Sequence, residues 1–389
     1  MSAPDAPIWQ IESLPFVWGA QETPHNPGGL PDALPFALSF DLRTGLVIQL
    51  PDARVEDALA KAYEVGSVLG SNVAEDGIGR RYADDFLDFI SRTLDETGIE
   101  RQSVLEIGCG NGYLLSRMSQ MFGSAIGVEP GPQGQDGARR YGVHIVQGFF
   151  PTPHVTGKYS AIVLMSVLEH VQDPAVFVAS LTSYLAPGGR IFISVPNEGA
   201  YIQNGDVSTL FHEHWSYFDR QTLRATMALA GLAIVSDCES SFGGSLYVCL
   251  STGTGGTNIY DDESEGNVRV ALRYLSQARS NCDTLQKACE RMTAGGQSLG
   301  VYVPARFVNA IGISKIPTQK IRFFDDDPGL LGTYYPGIPI RIESREDLLR
   351  SSADSVLVMS RTFGPSLAAQ LRKLLPASTK VLTVADLLF

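Results

Sequence analysis

The segment Val104 to Leu115, VLEIGCGNGYLL, takes an apolar strand straight into an apolar-faced helix through three alternating glycines, and no other stretch restricts the possible folds as strongly. A strand followed at once by a helix can bury both apolar surfaces only if the helix packs on a sheet, and repeating that unit builds a parallel sheet covered on both faces. The repetition is present. Strands are predicted at 102–107, 124–129, 143–148, 160–165 and 190–195, with helices near 113–122, 134–141, 174–185 and 220–230. A helix over 80–97 precedes them, with Phe86, Phe89 and Ile90 on one side. LAIVSDCE and SLYVCLS follow, separated by the turn-forming Ser-Ser-Phe-Gly-Gly, and predict an antiparallel hairpin at the sheet's end.

On either side of this domain, assigned to 75–255, the pattern changes. Residues 1–60 hold eight of the 22 prolines, which predicts loops and short strands rather than a helical domain. Within them Phe36–Leu50 alternates around Arg43-Thr44-Gly45 as a hairpin, so 1–74 is read as a small β and loop region. The composition of 251–266 predicts a linker, and a helix of some 25 residues from Asn267 to Met292 is expected within a connecting region, 256–298. From 299 to 389 strand and helix alternate again, with SLGVYVP, KIRFFDDD, DSVLVMS and KVLTV as strands of a second, smaller α/β domain.

Composition bounds the partners. A net charge of −12 without a long Lys/Arg cluster makes a nucleic-acid partner unexpected. Five cysteines with no C-x-x-C pair fit a reducing compartment, and with no leader-like start and no membrane-length apolar run the chain is expected in the cytoplasm, away from the membrane.

The glycine loop implies a ligand held close to the backbone. Gly108, Gly110 and Gly112 suit a turn with unusual backbone angles, but Tyr113 stands where a dinucleotide fingerprint needs its third glycine. Glu129, 19 residues past Gly110 at the end of the next strand, is placed to accept hydrogen bonds from both hydroxyls of a ribose. Glu106, ending the first strand, would complement a positive charge. Together the two carboxylates favour a cationic nucleoside over a pyrophosphate. A tight turn and a solvated strand end would explain either feature alone, but the correct separation of both favours the ligand.

Four segments in order, VLEIGCGNG, GVEPGP, VLMSVLEHVQDP at 163–174 and LAPGGRIFISVPN at 185–197, resemble the class I S-adenosylmethionine-dependent methyltransferases. The resemblance implies a Rossmann-like methyltransferase sheet and S-adenosylmethionine as cofactor. It further implies that Gln147 and Gly148 flank the adenine, that Met165 and Ser166 line the methionine part, and that His170 sits just outside. Asn111 and Pro130, inside the first two motifs, join the expected cofactor contacts.

Residues 210–219, LFHEHWSYFD, crowd two histidines, a glutamate and four aromatics above the cofactor end of the sheet, where substrate chemistry is expected. His212 and His214 would share one face of a strand as metal ligands, but no third or fourth ligand has convincing spacing, so no metal is predicted. Packing of His214 in a buried pocket is the plainer alternative. Phe211 to Phe218, with Phe242-Gly243-Gly244-Ser245-Leu246-Tyr247, resembles the sugar C-methyltransferase family, whose stretches read Y-H-E-H-x-S-Y-F and H-G-G-S-L-R. That resemblance assigns Glu213 and His214 to catalysis, His214 as base, and brings Phe211, His212 and Tyr217 to the substrate. It implies a small-molecule acceptor such as a nucleotide-linked keto-sugar, and a Rossmann-like C-terminal domain.

Departures accompany the match. GVYVPARF at 300–307 replaces an opening G-Y-G-A, Phe211 replaces a tyrosine, and the family's four-cysteine zinc ribbon has only its outline in Phe36–Leu50. Zinc is therefore expected to be absent there and the hairpin to hold on apolar packing alone. An O- or N-methyltransferase, or a binding protein that keeps the fold without catalysis, is the competing expectation.

Overall fold

A computed structural model describes residues 7–17, 19–65, 77–253, 260–351, 353–361 and 363–388. The expected boundaries at 74/75 and 255/256 fall outside these residues. Two compact units are formed, each from separate pieces of chain: 1–7, 38–199 and 213–271 in the first, and 8–37, 200–212 and 272–389 in the second.

The first unit is built on a seven-stranded sheet: β1 (Ser103–Ile107), β2 (Ser124–Glu129), β3 (His144–Gln147), β4 (Tyr159–Met165), β5 (Leu185–Pro196), β6 (Ala233–Glu239) and β7 (Ser245–Ser251). Their order is β6-β7-β5-β4-β1-β2-β3, with β7 antiparallel to both β5 and β6 and the other pairs parallel. The predicted parallel strands and terminal hairpin are thus observed. Strand side chains alternate between faces, and the core divides accordingly. Leu105, Ile107, Ile162 and Leu164 pack with Val178, Leu181, Leu223 and Met227 on one face. Val104, Ala161, Val163 and Phe192 pack with Phe86, Phe89, Ile90 and Met118 on the other. The order reverses between β1 and β4, and such a switch point opens a crevice beyond the strand ends.

Local signals set the helix starts. Pro174 begins helix Pro174–Leu181 behind Asp173, whose carboxylate accepts from the Val176 amide. Asp219 and Thr222 form a reciprocal capping box on helix Arg220–Leu229.

Three expectations need correction. Residues 53–65, within the region read as loops and strands, form a helix because Val55, Ala58, Leu59 and Ala62 give it a buried stripe. The long helix starts at Tyr260, seven residues before Asn267. The hairpin, Ala33–Phe40 with Val47–Gln49, does not rest on apolar packing alone. Leu46 and Ile48 do enter the core, but the turn is also pinned by polar groups. The Asp41 carboxylate accepts from the Arg43 amide and guanidinium, and Asn267 donates its side-chain amide to the Thr44 carbonyl at 3.0 Å.

The second unit carries a wholly parallel sheet of β8 (Leu299–Tyr302), β9 (Ile321–Asp325), β10 (Ile342–Ser344), β11 (Ser355–Val358) and β12 (Lys380–Thr383), in the order β10-β9-β8-β11-β12. Four of these strands were predicted, and β10 was not. Buried Asn309 ties the segment 200–212 into this unit by donating to the Val207 and Leu210 carbonyls at 2.9 and 2.8 Å.

Candidate functional site

The crevice beyond β1 and β4 contains a cavity of about 370 Å³, a size suited to a small ligand. Its floor is the glycine loop. Gly108 and Gly110 have φ of 69° and 53°, the left-handed region that disfavours side chains. A methyl group on Gly108 would also lie 2.5 Å from Val167 Cγ2, whereas nothing lies within 4 Å of one on Gly110. The first glycine permits packing from behind, and the second keeps the cavity side open. From the rear, helix Gln133–Tyr141 presses on the same loop: a Cβ on Gly137 would sit 1.9 Å from the Asn111 carbonyl oxygen.

Glu129 closes β2 and borders the cavity with both carboxylate oxygens engaged. Oε2 accepts from the Gly110 amide at 2.9 Å, and Oε1 accepts from the Gly131 amide at 2.9 Å and Gln133 Nε2 at 2.8 Å. Burial raises its pKa, and the Gly131 and Gly110 amides pull it back. The described residues of the lining include two carboxylates, Glu129 and Glu213, and neither Lys nor Arg. A wall of that sign accepts a sulfonium nucleoside and opposes a pyrophosphate.

Of the residues expected at the cofactor, Gly108, Gly110, Asn111, Glu129, Pro130, Gly148, Met165, Ser166 and His170 line this cavity, and so does Glu213, expected in catalysis. Glu106, Gln147 and His214 do not. Glu106 is buried behind the loop, its pKa driven well up by burial and by the nearby Glu129, with a bond from the Leu115 amide opposing. Gln147 is exposed on β3 and accepts from Gln135 Nε2 at 2.6 Å. Tyr63, Gln133, Phe149, Phe150 and Phe177, with Ile107, Val128, Val167 and Val171, complete the described lining and were not foreseen. Tyr63 went unseen because its helix did, while Gln133, four residues past Glu129, was legible from helical spacing.

The aromatic-histidine segment divides. His212 lies in a turn and His214 just after it, before the short strand at 216–217, so strand alternation does not put them on one face. His212 belongs to the second unit, where its ring meets Phe16 and Phe36 at 5.4 and 5.2 Å between centroids. Phe211 is half-buried and Tyr217 buried, and neither is on the cavity wall. In the first unit the His214 ring packs edge-on to His170 at 5.1 Å and lies 6.1 Å from Tyr217. His170 Nδ1 is 3.0 Å from the Glu213 carbonyl oxygen, which places the proton on Nδ1. The Tyr63 hydroxyl bonds the Glu213 carboxylate, and burial together with that carboxylate keeps the phenol protonated.

Burial holds His214 well below the usual histidine range, and the neighbouring His170 adds to the effect. His170 itself is pulled down to about 4 by burial. Both imidazoles are therefore neutral near pH 7 and able to accept a proton. Glu169, two-hundredths exposed, is pushed up to about 8 by burial, with Glu198 and Glu213 contributing.

Residues 77–237 match the model of a methyltransferase domain. The ubiquinone biosynthesis O-methyltransferase of Xanthomonas oryzae pv. oryzae is 32% identical over 119 residues, covering 28% of this chain and 48% of that protein. The chain thus spans about half the length of such relatives. The C-methyltransferase NovU of Streptomyces niveus is 23% identical over 286 residues, 68% of this chain and 67% of that protein. Among solved structures, an S-adenosylmethionine-dependent methyltransferase from Clostridium acetobutylicum aligns with 51% of this chain and 99% of its own, at 11% identity and a TM-score of 0.38. No helix among the described residues is long and apolar enough to cross a membrane. Residues 77–237 thus resemble a methyltransferase domain of the class I, S-adenosylmethionine-dependent type, in a chain that resembles the sugar C-methyltransferases.

Proposed function

We propose that this protein transfers the methyl group of S-adenosylmethionine to a carbon beside a carbonyl on a small metabolite, with a nucleotide-linked keto-sugar as the leading acceptor. The observation that carries this reading is His214, held unprotonated by burial and packed on His170, next in the chain to Glu213; His170 and Glu213 both line the cavity that Glu129 and the glycine loop border. Glu129 holds the ribose, the main chain at Gly108 and Gly110 admits the nucleoside, and Met165 and Ser166 flank the methionine portion. The cofactor supplies an electrophilic methyl group on a sulfonium, whose sulfur keeps the bonding pair as the methyl leaves.

On the acceptor, His214 removes the proton alpha to the carbonyl, and the electron pair left on that carbon forms the new carbon–carbon bond. The Glu213 carboxylate, bonded by Tyr63, offsets the charge gained by the protonated imidazole. C-methylation is favoured over O-methylation because the motif resemblance spans the substrate segment. The match to the ubiquinone-type enzyme covers only 28% of the chain. All five cysteines are free thiols, which fits a reducing, cytoplasmic setting.

The test is incubation with methyl-labelled S-adenosylmethionine and a panel of nucleotide keto-sugars, followed by connectivity of the label in the product. A new carbon–carbon bond is expected. Transfer to oxygen or nitrogen replaces the C-methyl reading. Replacing His214 by alanine should lower turnover by about 10²–10⁴-fold with cofactor affinity unchanged, and full activity in that variant removes its role as base.

A further inference from the structure

The proposed base, His214, stands in a cluster of possible metal donors with Glu169 and His170. One ring nitrogen each from His170 and His214 and one carboxylate oxygen of Glu169 all lie within 4.8 Å of one another. Nε2 of His170 is 3.9 Å from Oε1 of Glu169. Because Nδ1 of His170 faces a carbonyl, which only accepts, Nε2 presents a lone pair toward that carboxylate. A ring held through one nitrogen by a main-chain carbonyl, with the other left to ligate, is the usual arrangement around a metal-bound histidine.

Glu169 supplies an independent sign. It is 2% exposed, and its Oε2 has no hydrogen-bond partner among the described residues. Its main chain is fixed, since its carbonyl accepts from the Trp215 amide at 2.8 Å. Two electron-pair donors therefore face each other at 3.9 Å, with a third close by, and no Lys or Arg among the described residues pairs with Glu169. A metal cation between them, taking the place of the proton that burial favours on Glu169, would join all three donors.

We propose that Glu169, His170 and His214 bind a borderline divalent transition-metal ion, with Zn²⁺ as the best match, and that the bound ion inhibits methyl transfer by occupying the His214 ring. Two imidazoles and one carboxylate suit Zn²⁺ or Co²⁺, whereas Mg²⁺ and Ca²⁺ prefer all-oxygen sets. Bond lengths of about 2.0–2.2 Å require the donors to draw together by roughly an ångström, a distance within reach of ring rotation. His170 borders the cavity, so an ion held by these donors would lie beside the ligand space. The inhibitory half rests on His214 acting as base; ion binding itself does not.

The experiment titrates chelator-stripped full-length protein with Co²⁺, read by its visible absorption bands, and with Zn²⁺ by calorimetry. One ion per chain is expected, unaffected by millimolar Mg²⁺, with affinity at least tenfold weaker in Glu169→Gln and His170→Ala. Zn²⁺ should also suppress methyl transfer by the unmodified protein, while Glu169→Gln keeps its basal rate and becomes resistant. Binding that is absent, unchanged by both substitutions or displaced by Mg²⁺ overturns the site. Should either variant fail to fold, histidine-ring NMR of the unmodified protein decides: Zn²⁺ must shift the resonances of His170 and His214, and a shift confined to other histidines overturns it. A protein that binds Zn²⁺ with no loss of activity refutes inhibition alone, and loss of activity in His214→Ala without ion binding upholds the base and sinks the metal.

Discussion

Removing the Glu129 carboxylate tests the cofactor reading most directly. A carboxylate offers about four lone-pair sites, and in the ligand-free protein three are taken, by the Gly110 and Gly131 amides and by Gln133 Nε2. One site is open to a ribose hydroxyl at once. A second hydroxyl replaces the Gln133 amide, an exchange of one hydrogen bond for another that adds little. The net gain is therefore one bond to a charged acceptor, about 1.5–3 kcal/mol, and Glu129→Ala should raise the dissociation constant of S-adenosylmethionine by roughly 10–150-fold. Calorimetry with the cofactor and its demethylated product reads this, and the thermal midpoint reports whether the loop survives. Gln133→Ala is the internal control and should change affinity by less than about threefold. Burial raises the Glu129 pKa, so acidification should weaken binding earlier than for an ordinary carboxylate, and that pH dependence should vanish in Glu129→Ala. A well-folded Glu129→Ala variant that binds within threefold of the unmodified protein refutes the argument.

Because burial lowers the His214 pKa, the imidazole stays unprotonated below the usual histidine range. The acid limb of the pH–rate profile, measured with chelator present, should consequently fall below pH 6.5, and a limb centred there contradicts a buried base. Gly137→Ala places a Cβ 1.9 Å from the Asn111 carbonyl oxygen and should cost about 1–3 kcal/mol by overpacking. Cofactor affinity should fall with it, and an unchanged thermal midpoint would show that the helix yields. In the second unit, Asn309→Ala leaves two buried carbonyls without their donor and should destabilise by about 1–3 kcal/mol in a denaturant titration.

Much of the first unit was legible because its interior strands are short apolar runs, each followed at once by a helical pattern. Ala161 to Leu164 is buried on both faces, which is what such a run encodes. Helix 53–65 also has a readable stripe, but the prolines upstream dominated the reading of that region. The three-residue β10 is too short for a period to show. At the site, residues whose placement follows from main-chain geometry were expected beside the cavity and line it, Gly108, Gly110 and Glu129 among them. Side-chain direction outside regular structure was not legible: His212 and His214 are two apart in sequence, yet one ring meets Phe16 and Phe36 and the other meets His170. The Glu169–His170–His214 grouping escaped notice because 44 residues separate the segments that supply it, counting from 170 to 214.

The bare α-carbon of Gly137 against Asn111 has a consequence for how tightly the nucleoside is held. With helix and loop in van der Waals register, the hollow is shaped before anything enters, so little ordering remains to be done on arrival and more of the contact energy survives as affinity. It also means that the outward surface of that helix is mechanically continuous with the binding rim. Substitutions there, far from any ligand atom, become a means of tuning occupancy without altering a single contact to the guest.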